Sequence, residues 1–295
     1  MSSMDAELSA RARHIRIGAR RVVDALYGGA FLSAFKGQGI ELDQVREYQP
    51  GDDVRRIDWN VTARAHGGPD GERAFVKEHR AERELTVQLL IDVSASGSFG
   101  SGVRSKDALA RELGCVLALA VSSANDRVGV TLFSETVEHY LPPAKGRTHT
   151  GRILCEVDQL MPRGKRTSLA SGLAHLQKVQ RRRAVVILIS DLLAELPVDL
   201  LRGVAARHEL KVIRIVDARE RTLPDVGLLT VRDAETQELA QIDTGDLAVR
   251  LAFERAASKQ ASSAHEAFAQ LRVPMVDVDP DTAYIETLAR FLRRR

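Results

Sequence analysis

The sequence contains few of the residues that mark extracellular, disulfide-stabilised or membrane-spanning proteins. Its 295 residues include two cysteines, Cys115 and Cys155, and neither lies in a CxxC or Cys/His pattern. Both are predicted to be small buried residues in a reducing compartment. The longest largely apolar run, 114–121, is far shorter than the roughly 20 residues that a spanning helix needs, and no apolar signal core stands at the N-terminus. These absences predict a cytoplasmic protein without a membrane span.

Aromatic residues and an excess of one charge are also scarce. Aromatic residues make up 4% of the chain, so the core must consist mainly of aliphatic side chains, as in parallel sheets covered on both faces. The 43 basic and 40 acidic residues give a net charge of +3, which does not favour nucleic acid or anionic membrane as a partner. A basic helix predicted over residues 5–26 keeps such a contact as an alternative, but a solvated helix face is the favoured interpretation.

The usual motifs of hydrolytic enzymes are missing as well. The chain has no GxxxxGK[ST], HExxH or GxSxG motif, and its eight histidines are scattered. Nucleotide hydrolysis, zinc proteolysis and acyl transfer therefore lack their common signatures.

The pattern of hydrophobic residues divides the chain into two parts. Residues 1–84 are predicted to hold the N-terminal helix and a small turn-rich β module. From residue 85 strands alternate with helices, which predicts an α/β domain over 85–295 with a doubly wound, mostly parallel sheet. Two strand-like runs near 226–242 are predicted to form a hairpin inserted into that domain.

Five oxygen-bearing side chains lie where strands of the α/β domain are predicted to end. Asp92, Ser94 and Ser96 are spaced two apart, so in an extended segment they project to one side. Asp191 follows a second apolar strand, and Thr167 precedes a helix. An isolated Asp-x-Ser-x-Ser is typical of an ordinary capped turn, but together the five favour a metal site at the carboxyl edge of the sheet. Their hard oxygen donors suit Mg²⁺ or Mn²⁺.

This arrangement resembles the metal-ion-dependent adhesion site of von Willebrand factor A domains. In that site the hydroxyls bind the metal directly or through water, and the carboxylates often bind through water. The stretch 37–59, GQGIELDQVREYQPGDDVRRIDW, resembles more specifically the bacterial family called domain of unknown function 58, and the similarity covers most of the chain. One departure is Gly97, where the family often has methionine; a hydrophobic plug is then missing unless Phe99 supplies it.

The resemblance also implies a function and a partner. It implies a non-catalytic interaction module that works with a MoxR-type AAA+ ATPase in maturing or remodelling protein complexes. An acidic side chain of the partner is expected to complete the metal's coordination, and Lys165 and Arg166 beside Thr167 favour such a carboxylate. The alternative is a metal-dependent phosphoester hydrolase, which would need a general base or a second metal.

A second group of charges surrounds Trp59, the single tryptophan. Its members are Arg46, Glu47, Asp52, Asp53, Arg55, Arg56 and Asp58. The favoured interpretation is an ion-pair lattice that fastens the small module, with Trp59 as its buried apolar anchor. A partner-docking patch is the alternative.

Overall fold

The computed structural model describes residues 44–50, 52–65, 74–78, 84–100, 102, 104–164, 166–233, 238–282 and 284–293. The chain divides into two compact units at residue 84, and the smaller one falls within residues 33–84. The helix predicted over 5–26 lies outside the described residues. The predicted extent of the first domain therefore stays a prediction.

The small unit contains two short antiparallel strands and one helix. The strands are β1 (Gln44–Glu47) and β2 (Phe75–Glu78), and the helix is α1 (Trp59–Ala65). Sequence analysis predicted only strands and turns here, so α1 is a correction. Its start has a local cause: Asp58 Oδ1 accepts hydrogen bonds from the backbone N–H groups of Asn60 at 3.0 Å and Val61 at 3.3 Å, as an N-cap does.

The large unit is built on a six-stranded sheet. Its strands are β3 (Thr86–Asp92), β4 (Arg127–Phe133), β5 (Val137–Ala144), β6 (Val185–Ser190), β7 (Glu209–Ile215) and β10 (Met275–Val278). Their order across the sheet is β10-β7-β6-β3-β4-β5, and only the edge strand β5 is antiparallel to its neighbour. The order reverses between β3 and β6, which places the switch point of the sheet there.

Helices cover both faces of this sheet. They are α2 (Lys106–Ser123), α3 (Arg147–Gln159), α4 (Leu169–Val179), α5 (Val198–Arg207), α6 (Leu247–Gln270) and α7 (Tyr284–Arg293). Helices α2 and α3 pack together, as do α4 and α5. Leu90, Leu188 and Val212 of the strands pack with Leu173 and Leu201 of α4 and α5 in one buried cluster. Burial on both faces explains why the central strands are almost continuously apolar.

The inserted hairpin predicted near 226–242 is present. Strands β8 (Leu228–Arg232) and β9 (Leu239–Asp243) pair antiparallel as a separate two-stranded sheet. The long helix α6 follows at once, and its buried residues are Ala264 and Phe268, both near its C-terminal end. The strand order and directions of the six-stranded sheet confirm the predicted α/β fold with a mostly parallel sheet.

Candidate metal centre

The Asp-x-Ser-x-Ser segment leaves the carboxyl end of β3, next to the switch point. Asp92 is the last residue of β3, and its Oδ1 accepts a hydrogen bond of 3.0 Å from the backbone N–H of Ser94. This contact bends the chain so that the Oγ atoms of Ser94 and Ser96 lie 3.0 Å apart. Asp92, Ser94 and Ser96 are 8%, 4% and 9% exposed, so all three residues are largely buried.

Thr167 joins this group from a separate loop. Its Oγ1 donates a hydrogen bond of 2.7 Å to Ser94 Oγ. The loop is fixed from β5, because Glu138 accepts hydrogen bonds from the backbone N–H groups of Arg163 at 3.1 Å and Gly164 at 2.8 Å. These bonds and one from Ser134 outweigh partial burial and lower the pKa of Glu138 below its usual value. Glu138 therefore anchors the loop segment that precedes Thr167.

Asp191 enters from the end of β6, the parallel neighbour of β3. Ser190 Oγ donates a hydrogen bond of 2.8 Å to Asp92 Oδ2, which ties the two strand ends together. Leu192, directly after Asp191, has a φ of 55°, a left-handed conformation that a leucine adopts at some cost in free energy. Such local strain is found preferentially at functional sites, where the surrounding structure maintains it.

The electrostatics of the strand ends favour a cation. Burial and, to a smaller extent, the nearby charge of Asp191 together raise the pKa of Asp92 to about 6. Hydrogen bonds from Ser94 and Ser190 act in the opposite direction. Two carboxylates that approach each other in a poorly solvated place destabilise their ionised forms. A positive ion beside them would relieve this repulsion.

The structure shows a resident positive charge that sequence analysis missed. Lys106, the first residue of α2, is 2% exposed, and its Nζ lies 2.7 Å from Asp191 Oδ2 and 2.5 Å from Glu220 Oε1. Burial acts to lower the pKa of Lys106, but Asp191 and Glu220 raise it above its usual value. The one signal in the sequence was a lysine directly after the N-cap Ser105, where the helix dipole disfavours a cation.

These side chains line one cavity at the carboxyl edge of the sheet. The lining residues are Asp92, Ser94, Ser96, Gly97, Lys106, Asp107, Ala110, Ser190, Asp191 and Ile215. Asp107 is already paired, because Arg111 Nε lies 2.8 Å from its Oδ2. Thr167 contacts the cavity through Ser94.

The donor set fits a hard divalent cation. Asp92, Asp191 and Glu220 carry three negative charges and Lys106 one positive charge, so the cluster has a formal charge of −2 when all four are ionised. Hydroxyl and carboxylate oxygens are the ligands that Mg²⁺ and Mn²⁺ prefer. Across the residues that the structure describes, no group of three or more His, Cys, Asp or Glu side chains is placed to hold a metal. A metal here would therefore depend on the hydroxyls.

Comparison with known proteins places the chain in a family. The family described as "Protein of unknown function DUF58" matches residues 44–263. This chain belongs to the DUF58 family. One relative is "Uncharacterized protein Rv1480" of Mycobacterium tuberculosis (strain H37Rv), which is 31% identical over 296 residues, covering 99% of this chain and 90% of that protein. Another, "Uncharacterized protein MAV169" of Mycobacterium avium, is 30% identical over 159 residues, covering 52% of this chain and 92% of that protein.

Solved structures with a similar fold were also found for this DUF58 member. BatB from Bacteroides thetaiotaomicron is 14% identical, with a TM-score of 0.46, and the match covers 70% of this chain and 97% of that one. The SpRpn10 VWA domain is 12% identical, with a TM-score of 0.37, and the match covers 70% and 94%. Because both scores are low, the von Willebrand factor A-like fold of this DUF58 chain rests on its own strand order and family membership.

Other sequence-based expectations for this family member are corrected. Phe99 is 44% exposed and does not fill the place of the family's methionine after Ser96. Trp59 is 69% exposed, so the prediction of a buried anchor is wrong: it is the first residue of α1, and its side chain faces solvent. Replacing Trp59 is therefore expected to lower the free energy of unfolding less than replacing a buried tryptophan would.

The aspartates around Trp59 accept hydrogen bonds from nearby backbone N–H groups, which the prediction of an ion-pair lattice did not include. Asp52 Oδ2 accepts a hydrogen bond of 2.9 Å from the backbone N–H of Gln49, and Asp53 Oδ1 accepts one of 3.0 Å from that of Arg55. With Asp58 at the start of α1, three carboxylates thus stabilise turns of the backbone. The side chain of Arg46 lies outside the described part of the unit, so its predicted role remains a prediction.

Proposed function

We propose that this chain is a non-catalytic, divalent-metal-dependent protein-interaction module. The observation that carries the proposal is the convergence of Asp92, Ser94, Ser96 and Thr167 beside Asp191 at the switch point. A bound Mg²⁺ or Mn²⁺ would supply a Lewis-acidic position to which a partner's Asp or Glu side chain can bind. The three hydroxyls and Asp92 would hold the metal, and Asp191 would complete its charge balance.

The same contacts argue against turnover. Both oxygens of Asp92 already accept hydrogen bonds, from Ser94 N–H and from Ser190 Oγ. Asp191 and Glu220 are both held by Lys106. These carboxylates therefore lack the freedom of a general base, and the cavity contains the Lys106 ammonium, which would repel a second metal ion.

The partner that we propose is a MoxR-type AAA+ ATPase or its client, in the cytoplasm. Support for the partner comes from the family resemblance. Support for the compartment comes from the two cysteines, Cys115 and Cys155, neither of which forms a disulfide. Exposed Arg166 beside Thr167 would attract a carboxylate; the side chain of Lys165, its predicted companion, lies outside the described residues. No helix in the described ranges is long and apolar enough to cross a membrane.

The proposal is tested by measuring binding of a MoxR-type AAA+ ATPase from the same organism to the purified chain. Binding in millimolar Mg²⁺ is expected to weaken at least about tenfold with chelator or in Asp92→Ala. Asp199→Ala is the matched control, because Asp199 is 94% exposed on α5, pairs with Arg202 and does not line the cavity. Equal binding with Mg²⁺ and with chelator would contradict the proposal. Multiple-turnover hydrolysis of a phosphoester that is lost in Asp92→Ala would instead support the hydrolase.

A further inference from the structure

Lys106 occupies an unfavourable position for a lysine in two respects. Its ammonium is buried, and it stands at the N-terminus of an 18-residue helix, where the aligned peptide dipoles present partial positive charge. Both effects destabilise the charged form unless carboxylates compensate. Asp191 and Glu220 supply that compensation at 2.7 and 2.5 Å.

The two carboxylates have different neighbours. Asp191 Oδ1 accepts a hydrogen bond of 3.2 Å from the backbone N–H of Leu193, and Asp191 faces Asp92 across the switch point. Glu220 lies beyond the end of β7, where its side chain belongs to a capping box with Asp217. Its Oε2 accepts a hydrogen bond of 3.2 Å from the backbone N–H of Asp217, while Oε1 faces Lys106. Glu220 is thus a fixed second partner for the ammonium, outside the five predicted ligands.

We infer that Lys106 is a tethered cation that competes with the metal for Asp191, and that Glu220 holds its ammonium when the metal binds. The inference rests on the proposed function, since it concerns the same site. A divalent ion that shares Asp191 would stand close to the ammonium, and two cations a few ångströms apart in a buried cavity repel each other strongly. Lys106 Nζ already contacts Glu220, so it keeps one carboxylate partner when it releases Asp191.

This arrangement sets the affinity of the site as well as its charge. While Lys106 bridges Asp191 and Glu220, part of the negative charge that would attract the metal is neutralised. Metal binding must displace the Lys106–Asp191 contact, which lowers the affinity compared with a site of the same oxygens without the lysine. Loss of the lysine and loss of Glu220 therefore act in opposite directions on metal affinity. A purely structural role for the pair would not produce that opposition.

The test is a calorimetric titration of the full chain with Mg²⁺ and with Mn²⁺. Lys106→Met keeps the length of the side chain without its charge and is expected to bind either ion at least about tenfold more tightly. Glu220→Gln leaves the ammonium on Asp191 alone and is expected to bind several-fold more weakly. Lys211→Met is the matched control: Lys211 is a lysine on β7 that is 4% exposed and contacts Glu209 and the Leu292 carbonyl, so its loss should leave the affinity unchanged.

The possible outcomes separate this inference from the proposed function. Weaker or unchanged binding in Lys106→Met, with the wild type binding, overturns the inference alone. If Lys106→Met does not fold, Glu220→Gln decides, and binding as tight as in the wild type overturns the inference. Binding by Lys106→Met when the wild type binds neither ion would support the inference and contradict the proposed metal-dependent function. No binding by the wild type or by any variant overturns both.

Discussion

Single aspartates have two different roles in this chain, and their neighbours distinguish the roles. In the small unit Asp53 and Asp58 are partly or largely solvent-accessible and accept hydrogen bonds from backbone groups two or three residues away. In the large unit Asp92 is buried and also bonds to Ser190, 98 residues away in sequence. Local caps stabilise a turn, whereas a buried carboxylate with distant partners fixes a site.

His208 gives a residue-scale prediction about pH. It follows α5, is 3% exposed, and neither ring nitrogen has a hydrogen-bond partner. Burial lowers its pKa below the usual 6.5, and the charge of Arg207 lowers it further. The folded state therefore favours the neutral ring, so the free energy of unfolding should be highest above pH 6.5 and should fall as the pH drops below it, where the unfolded chain takes up the proton.

Denaturant unfolding at pH 7.5 and at pH 5.5, of wild type and of His208→Leu, measures this contribution. The loss of stability on acidification should be smaller in His208→Leu than in the wild type. His265→Leu is the control, because His265 is exposed on α6 and bonds to the carbonyl of Ala261. An identical pH dependence in wild type and His208→Leu would show that His208 is not the group responsible.

Among the elements, those with strong periodicity could be predicted from sequence. The strands that become β3, β4, β6 and β7 are apolar runs bounded by polar residues, and their helices have apolar residues three and four apart. The proposed metal ligands follow from the same reasoning, because strand ends in a parallel sheet share one edge. Helix α1 was missed because turn residues and charges on both sides of it hide a short helix whose stability depends on Asp58.

The Lys106–Glu220 contact could not be predicted in the same way. The two residues are 114 positions apart, and Glu220 lies in a short turn after β7 that has no pattern of its own. Their approach depends on how α2 and the β7 turn meet at the sheet edge. That is a property of tertiary packing, which neither periodicity nor a local motif reports.

Helix α6 gives the element-scale prediction. Of its 24 residues only Ala264 and Phe268 are buried, and Phe268 packs into the cluster that contains Leu188 and Val273. Phe268→Ala should lower the free energy of unfolding by about 3–5 kcal/mol through lost burial and a new cavity. Leu251→Ala, in the N-terminal half of the helix, should change the free energy of unfolding far less, because Leu251 is 40% exposed. Equal losses in urea unfolding would show that α6 is anchored elsewhere.

In the whole molecule the site exists because of the topology. The chain crosses from β3 through β4 and β5 before it returns to β6 beside β3, and this reversal brings Asp92 and Asp191 to one crevice with Thr167 on an intervening loop. Family membership accounts for the architecture. The contacts of the site, with Lys106 inside it, support the proposal of a metal-dependent interaction site without turnover.

The central claim, that Asp92, Ser94, Ser96, Thr167 and Asp191 form a divalent-metal site, is tested most directly by thermal unfolding with and without Mg²⁺ or Mn²⁺. An ion that binds only the folded state stabilises it by about 2.7 kcal/mol at a concentration one hundred times its Kd, so the unfolding temperature of the wild type should rise. Asp92→Ala and Ser96→Ala should abolish the rise, and Asp199→Ala should keep it. A rise of the same size in Asp92→Ala and Ser96→Ala, or none in the wild type, would contradict the claim.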